Sequence, residues 1–143
     1  MIDLSNRPLP EPIMETIDAV RDFEKTPLAE QFPYTNSYEL MMSASAEFGD
    51  TAALEFLLQG LADEPAQTPT FSELGAQVTR TANVLSSLGV SAGDSVSIGV
   101  PVWAQTHFAI WSAQAAGISN PINPLIEPEH KAEIISAAKS KVV

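Results

Sequence analysis

TFSELGAQVTRTANVLSSLGVSAGDSVSIGVPVWAQTHFAIWSAQAAGISNPINP, residues 70–124, decides the fold. It reads as helix, turn, strand, helix, turn, strand, with a breaker at nearly every joint. Thr70-Phe71-Ser72-Glu73 has the form of a capping box, in which a Thr side chain caps a backbone N–H three residues on and the Glu reaches back. Leu74, Val78, Ala82, Leu85 and Leu88 then recur at helical spacing. Gly89 stands where the chain needs a left-handed residue to leave the helix. Val90 stands where such a cap returns an apolar contact to Leu85. Gly93-Asp94 is a turn signal. Residues 95–100 alternate small side chains with Val96, Ile98 and Val100, which predicts a strand ended by Pro101. A second helix is predicted over 102–116, stopped by Gly117. A second short strand is predicted over 118–122, closed by Pro121 and Pro124. Two strands joined through a helix form a βαβ unit, which requires parallel pairing and a right-handed crossover.

Working outward, residues 1–12 carry Pro8, Pro10 and Pro12 and predict an extended surface arm. Ile13, Ile17, Val20 and Phe23 predict a short helix over 13–25, and Pro27 and Pro33 bracket a loop over 26–33. Ser37 is expected to cap a helix over 38–48 that ends at Gly49. Leu54, Phe56 and Leu58 alternate in a strand over 51–58. A polar turn with Pro65 and Pro69 returns the chain to a short partner strand over 68–71. On the other side, Glu127-Pro128-Glu129 opens a helix, with proline at a first helical position and acids in the first turn. Ala132, Ile134, Ile135 and Ala138 continue it. Lys141-Val142-Val143 begins an apolar run of strand type where the chain stops, which reads as a piece of a longer protein. The expectation is a three-layer α/β arrangement, with parallel strands near 95–100, 118–122 and from 141 on, plus a small amino-terminal strand pair. Residues 1–36 read as arm and helix, and 37–143 as an α/β subdomain.

The 143 residues are enough to bury a core, and 45% hydrophobic with 17% charged residues is ordinary globular composition. There is no cysteine, which removes disulfides and thiolate metal sites. The net charge of −11 argues against nucleic acid or an anionic membrane surface as partner. Acid is concentrated before residue 68 and reads as a solvated face. No secretory signal and no apolar run of membrane-spanning length is visible, so a cytoplasmic protein is expected.

The chemistry-bearing residues are few. No Gly-x-x-x-x-Gly-Lys-Ser/Thr and no Gly-x-Gly-x-x-Gly occurs. Gly89 and Gly93 flank Val90-Ser91-Ala92 in a turn between helix and strand, so they read as structural. His107 lies mid-helix with no carboxylate or serine nucleophile beside it in sequence. His130 sits among Glu127, Glu129 and Glu133. It lacks a second nitrogen ligand, so these acids read as partners of the helix dipole. Trp103, Phe108 and Trp111 read as an aromatic cluster used for packing, with the lining of an apolar tunnel as the alternative. Asn120 and Asn123 read as hydrogen-bonding groups for backbone at the strand exit.

Three motifs then carry a resemblance. Thr-Phe-Ser-Glu-Leu (70–74), Leu-Gly-Val-Ser-Ala-Gly-Asp (88–94) and Ala-Ala-Gly-Ile-Ser-Asn-Pro-Ile-Asn-Pro (115–124) resemble the opening motifs of adenylate-forming enzymes. That superfamily includes acyl-CoA synthetases, luciferases and the adenylation domains of peptide synthetases. The resemblance covers roughly residues 38–143. The Pro-Ile-Asn-Pro ending is more similar to acyl-CoA synthetases, of the bacterial fatty-acyl type, than to peptide-synthetase domains, where Asp is usual in place of Asn123. Trp103 departs from the pattern, since many relatives open that helix with a polar residue.

The resemblance implies the first part of the large domain of an enzyme that joins a carboxylic acid to ATP, releases pyrophosphate and passes the acyl group from AMP to CoA. Such an enzyme needs ATP, Mg²⁺ and CoA. It needs a phosphate loop with a Lys, an acid for the ribose, an acid for Mg²⁺, and a Lys on a mobile lid. None of these can be matched to a residue here, so no catalytic, cofactor-binding or metal-binding residue is assigned. The 143 residues alone are expected to be inactive and to hold no cofactor. An aryl-CoA ligase, a peptide-synthetase domain and a non-catalytic α/β interaction module are the competing readings.

Overall fold

The computed structural model describes residues 15–61 and 63–143. The arm expected over residues 1–12, and Ile13 at the start of the first predicted helix, lie outside the described residues. The chain divides into two units, one ending at Tyr34 and the other Thr35–Val143.

In the first unit, α1 is Ile17–Phe23, capped by Thr16, whose hydroxyl accepts from the Ala19 N–H at 3.1 Å. The predicted loop contains one more helical turn, α2, Leu28–Gln31. Pro27 explains it. Proline fixes φ ahead of the turn, and the Pro27 carbonyl accepts from Glu30 and Gln31.

In the second unit, α3 is Ser37–Phe48. Its cap is Asn36, one residue earlier than expected. The Asn36 carboxamide oxygen accepts from the Glu39 N–H at 2.8 Å, which is the reach of an N-cap to N3. The expected strand pair follows as two antiparallel bridges, Ala52 with Thr70 and Phe56 with Gln67. Four residues advance on one side against three on the other, so the register slips by one, as at a bulge. Pro69, which has no N–H to donate, sits within that slip and keeps the ladder from running continuously.

The longest helix, α4, is Phe71–Ser87, and its capping box is complete. Glu73 N–H donates to the Thr70 hydroxyl at 3.2 Å, and Thr70 N–H donates to the Glu73 carboxylate at 2.9 Å. At the other end Gly89 N–H reaches the Ser86 carbonyl at 2.9 Å and Val90 N–H reaches the Leu85 carbonyl at 3.0 Å. With φ +87° at Gly89, these two bonds form the Schellman motif. The apolar stripe holds through Leu74, Val78 and Leu85, which are buried. Leu88, however, is exposed, because it is the cap residue where the helix stops, and Val90 folds back to fill its place beside Leu85.

Next come β1 (Ser95–Ile98), α5 (Ala104–Ala116), β2 (Ile118–Pro121) and α6 (Pro128–Ala137). The strands pair in parallel, Ser95 with Ile118 through Ile98 with Pro121, and Val142 bridges Val96 in parallel on the other edge. β1 is therefore the central strand, buried along its whole length. That differs from the simple alternation expected, because both faces of a parallel sheet are covered. Right-handed crossovers then put α5 and α6 on opposite faces. Val100 and Val102, placed by sequence in the strand and the helix, are exposed in the connection between β1 and α5. The third strand is present as the single Val96–Val142 bridge, held by Ser97 N–H to the Val142 carbonyl and Lys141 N–H to the Ser95 carbonyl.

The core is two clusters strung along α4. Leu74 and Val78 pack with Met41, flanked by Phe108 and Trp111. Leu85 packs with Val90, Val96, Ile98 and Ala113. Phe108 packs with the Leu74–Val78 end of α4 and Ala113 with the Leu85 end, so α4 and α5 run in the same direction. Ser112, wholly buried, fixes that crossing: its hydroxyl lies 2.5 Å from the Phe108 carbonyl and 3.1 Å from the Val78 carbonyl. Its single proton is shared between the two helices.

Candidate functional site

The turn into β1 is densely bonded. The Asp94 carboxylate accepts from the Ser91 hydroxyl at 2.6 Å, the Ser91 N–H at 2.8 Å and the Lys141 ammonium at 3.0 Å. The Ser91 hydroxyl, then the Lys141 contact and the Ser91 N–H, lower the Asp94 pKa to about 2. Charge-assisted bonds to the ionised form cause this shift. The Asp94 carbonyl accepts from the Ile118 N–H at 2.9 Å, and Gly117 lies against it. A carboxylate held this firmly ionised, with its bonds filled by its own chain, is a structural group and not a general acid.

Clefts open among the described residues of the second unit. One of about 270 Å³ lies where α4 and α5 begin and is lined by Gln67, Pro69, Glu73, Gln77, Gln105 and Phe108. Glu73 is already committed to the capping box there. Another, about 190 Å³, lies among Tyr38, Thr79, Asn83, Ser86 and Ala115. Tyr38 and Thr79 bond one another across it at 3.0 Å.

The residues singled out by sequence are not brought together. His107 is half-buried on α5 and His130 is exposed near the start of α6. Among the described residues no three His, Asp or Glu side chains converge as a metal site would require. The expected aromatic cluster separates. Phe108 and Trp111 pack against Met41, Leu74 and Val78, whereas Trp103 is 46% exposed. Trp103 precedes α5 with extended backbone, so helical spacing does not carry it to the packed face. Asn123 does bond backbone, accepting from the Leu125 N–H at 3.0 Å, but Asn120 donates to the Ser97 hydroxyl at 2.9 Å. That bond belongs to a buried polar row that sequence reading missed, in which Ser140 lies 2.6 Å from Ser97 and 3.4 Å from Ser95. The alternation of small residues in β1 was its only signal. Some of the acid before residue 68 also has local work. Glu39 accepts from the Thr35 N–H and hydroxyl, and Glu64 accepts from the Gln59 N–H.

The turn after α4 does not fit a phosphate. The N–H groups of Gly89 and Val90 are spent on the helix end, and the turn that follows presents the Asp94 carboxylate. A phosphate cradle needs free N–H groups and positive charge instead. No helix of the described residues is long and apolar enough to cross a membrane.

Residues 42–143 match the family described as AMP-binding enzyme, and the chain belongs to that family of adenylate-forming enzymes. It is 30% identical over 130 residues to a marinolic acid–CoA ligase of Pseudoalteromonas sp., which covers 91% of this chain and 20% of the ligase. It is 36% identical over 98 residues to an acetyl-coenzyme A synthetase of Beijerinckia indica, covering 66% of this chain and 15% of that protein. The chain thus spans about a fifth or less of the curated relatives it matches. Among solved structures, the fold is similar to the N-terminal subdomain of Klebsiella oxytoca NpsA in complex with anthranilyl-AMSN. The TM-score is 0.63 at 23% identity, covering 73% of this chain and 26% of that one. It is also similar to the N-terminal domain of Mycobacterium tuberculosis FACL13, with TM-score 0.65 at 19% identity, covering 75% of this chain and 26% of that one.

Proposed function

We propose that the chain forms the first α/β portion of an acyl-CoA synthetase that activates a carboxylic acid with ATP to acyl-AMP and passes the acyl group to CoA. The observation that carries this reading is the 30% identity with an acid–CoA ligase along 91% of the chain. The Pro121-Ile122-Asn123-Pro124 ending supports a fatty acid as substrate. In this reading residues 37–143 are the enzyme's first α/β subdomain, residues 1–36 precede it as arm and helix, and the setting is cytoplasmic. ATP, Mg²⁺ and CoA belong to the longer enzyme. Positioning and charge stabilisation of phosphates carry most of such chemistry, and the sequence matches no residue to the family's phosphate loop, Mg²⁺ acid or lid lysine. The 143 residues alone therefore release no pyrophosphate.

The test is pyrophosphate release and CoA consumption over a panel of fatty and aromatic acids, run on the 143-residue chain and on a longer protein containing it. Fatty-acid-dependent release by the longer protein alone is expected. Release by the short chain would overturn the placement of the site. Preference for aromatic acids would move the assignment to an aryl-CoA ligase. Silence of the longer protein over the whole panel would remove the ligase reading.

A further inference from the structure

The chain between Phe56 and Gln67 is a loop closed at its base. Phe56 N–H bonds the Gln67 carbonyl and Gln67 N–H the Phe56 carbonyl, each at 2.9 Å. Three leucines stand out from it: Leu57 is 43% exposed, Leu58 61% and Leu61 57%. Exposed leucines scattered singly are ordinary, but three on one short loop form a patch. Their exposure does not come from looseness. The Glu64 carboxylate turns back into the loop and accepts from Gln59 N–H at 2.8 and 3.0 Å and from Leu61 N–H at 3.4 Å. Glu64 N–H returns to the Leu61 carbonyl at 3.2 Å, and Gly60, at φ +70°, takes the reversal between Leu58 and Leu61. A loop held in shape by its own bonds loses little freedom when a partner arrives. The rim of the patch is acidic. Glu55 precedes the leucines and Asp63 follows them, and both are exposed. No lysine or arginine occurs from residue 26 to residue 79. A second copy or an anionic bilayer would therefore bring like charge against the rim. The complementary surface is an apolar stripe bordered by cations, which is what an amphipathic basic helix presents.

We propose that this loop docks on an amphipathic basic helix of a protein partner, with Leu57, Leu58 and Leu61 against the apolar face and Glu55 and Asp63 facing the cations that border it. The proposal does not depend on the ligase reading, and its test needs neither ATP nor turnover. The full chain is titrated with a synthetic helix carrying leucine on one face and lysine on the other, while its backbone amides are followed by NMR. Saturable shifts centred on Leu57, Leu58, Leu61 and Asp63 are expected. Leu58→Asp is expected to weaken binding about tenfold, because it removes one leucine from the contact. It also adds a negative charge, so mere attraction of a polycation would make binding tighter instead. Leu88→Asp, the same change at the far end of α4, is expected not to weaken it. Glu55→Gln with Asp63→Asn keeps the leucines and is expected to weaken binding and flatten its salt dependence. Undiminished binding by Leu58→Asp or by the double variant, equal binding of a lysine–serine peptide, shifts centred elsewhere, or no saturable binding would each overturn the proposal. Binding of the loop to phosphatidylcholine vesicles would assign the patch to a membrane and overturn it too. So would self-association that Leu58→Asp abolishes, which would assign the patch to a second copy.

Discussion

The Lys141 ammonium and the Asp94 carboxylate meet at 3.0 Å, joining the residue before the Val142 bridge to the turn that launches β1. Lys141 N–H also bonds the Ser95 carbonyl, so backbone and side chain grip adjacent residues of the same segment. Asp94 is depressed to about 2 when folded. A depressed carboxylate contributes stability above its unfolded pKa, and that contribution fades as pH falls toward the folded value. Thermal midpoints of Asp94→Asn should therefore lose ground to wild type at neutral pH and converge on it between about pH 4 and pH 2. A constant gap across that window would show that the group does not titrate as described.

Gly89 carries φ +87° in the Schellman turn. A β-branched side chain resists that conformation, so Gly89→Val should lower stability by roughly 1 kcal/mol or more. Urea unfolding reads it, and an unchanged midpoint would argue against the left-handed cap.

Gly117 is constrained by closeness. A Cβ there would stand 2.5 Å from the Asp94 carbonyl oxygen and 2.9 Å from that of Ser91, both backbone atoms that cannot swing aside. Gly117→Ala should cost on the order of 1–3 kcal/mol, the usual range for overpacking. The Ile118 N–H, bonded to Asp94, should also exchange faster with solvent. Wild-type exchange at Ile118 in this variant would mean the turn has room that the geometry denies it.

Removing the cap of α4 is a milder change. Thr70→Ala deletes the acceptor for Glu73 N–H and should destabilise by about 1 kcal/mol. Glu73→Gln, which keeps a carbonyl oxygen within reach of Thr70 N–H, should cost less. Equal losses would mean that the charge of Glu73, not its hydrogen bond, carries the effect.

The parts of the fold legible in sequence were those written in local chemistry. The capping box at Thr70 and Glu73, the glycine exit at Gly89 and the proline start at Pro128 each depend on residues within a turn of one another. Some of what sequence reading missed is local detail, and some depends on partners far along the chain. Asn36 rather than Ser37 caps α3 because one side chain, not its neighbour, reaches Glu39. Trp103 leaves the aromatic cluster because its backbone is extended. The Ser95–Ser97–Ser140 row joins segments that share no local pattern. The family was legible through three short motifs.

The central place of β1 also sets an order of events during synthesis. Both of its neighbours lie downstream, β2 at Ile118–Pro121 and the third strand at Val142. As the chain emerges, α3 and α4 can pair early, whereas β1 waits with two open edges, then one, until residue 142 is free of the ribosome. Long-range parallel pairing of this kind is slow and leaves strand edges open to wrong partners. Its four positions alternate Ser95 and Ser97 with Val96 and Ile98, so half of the waiting strand is hydroxyl rather than hydrocarbon, which makes it a poorer template for aggregation.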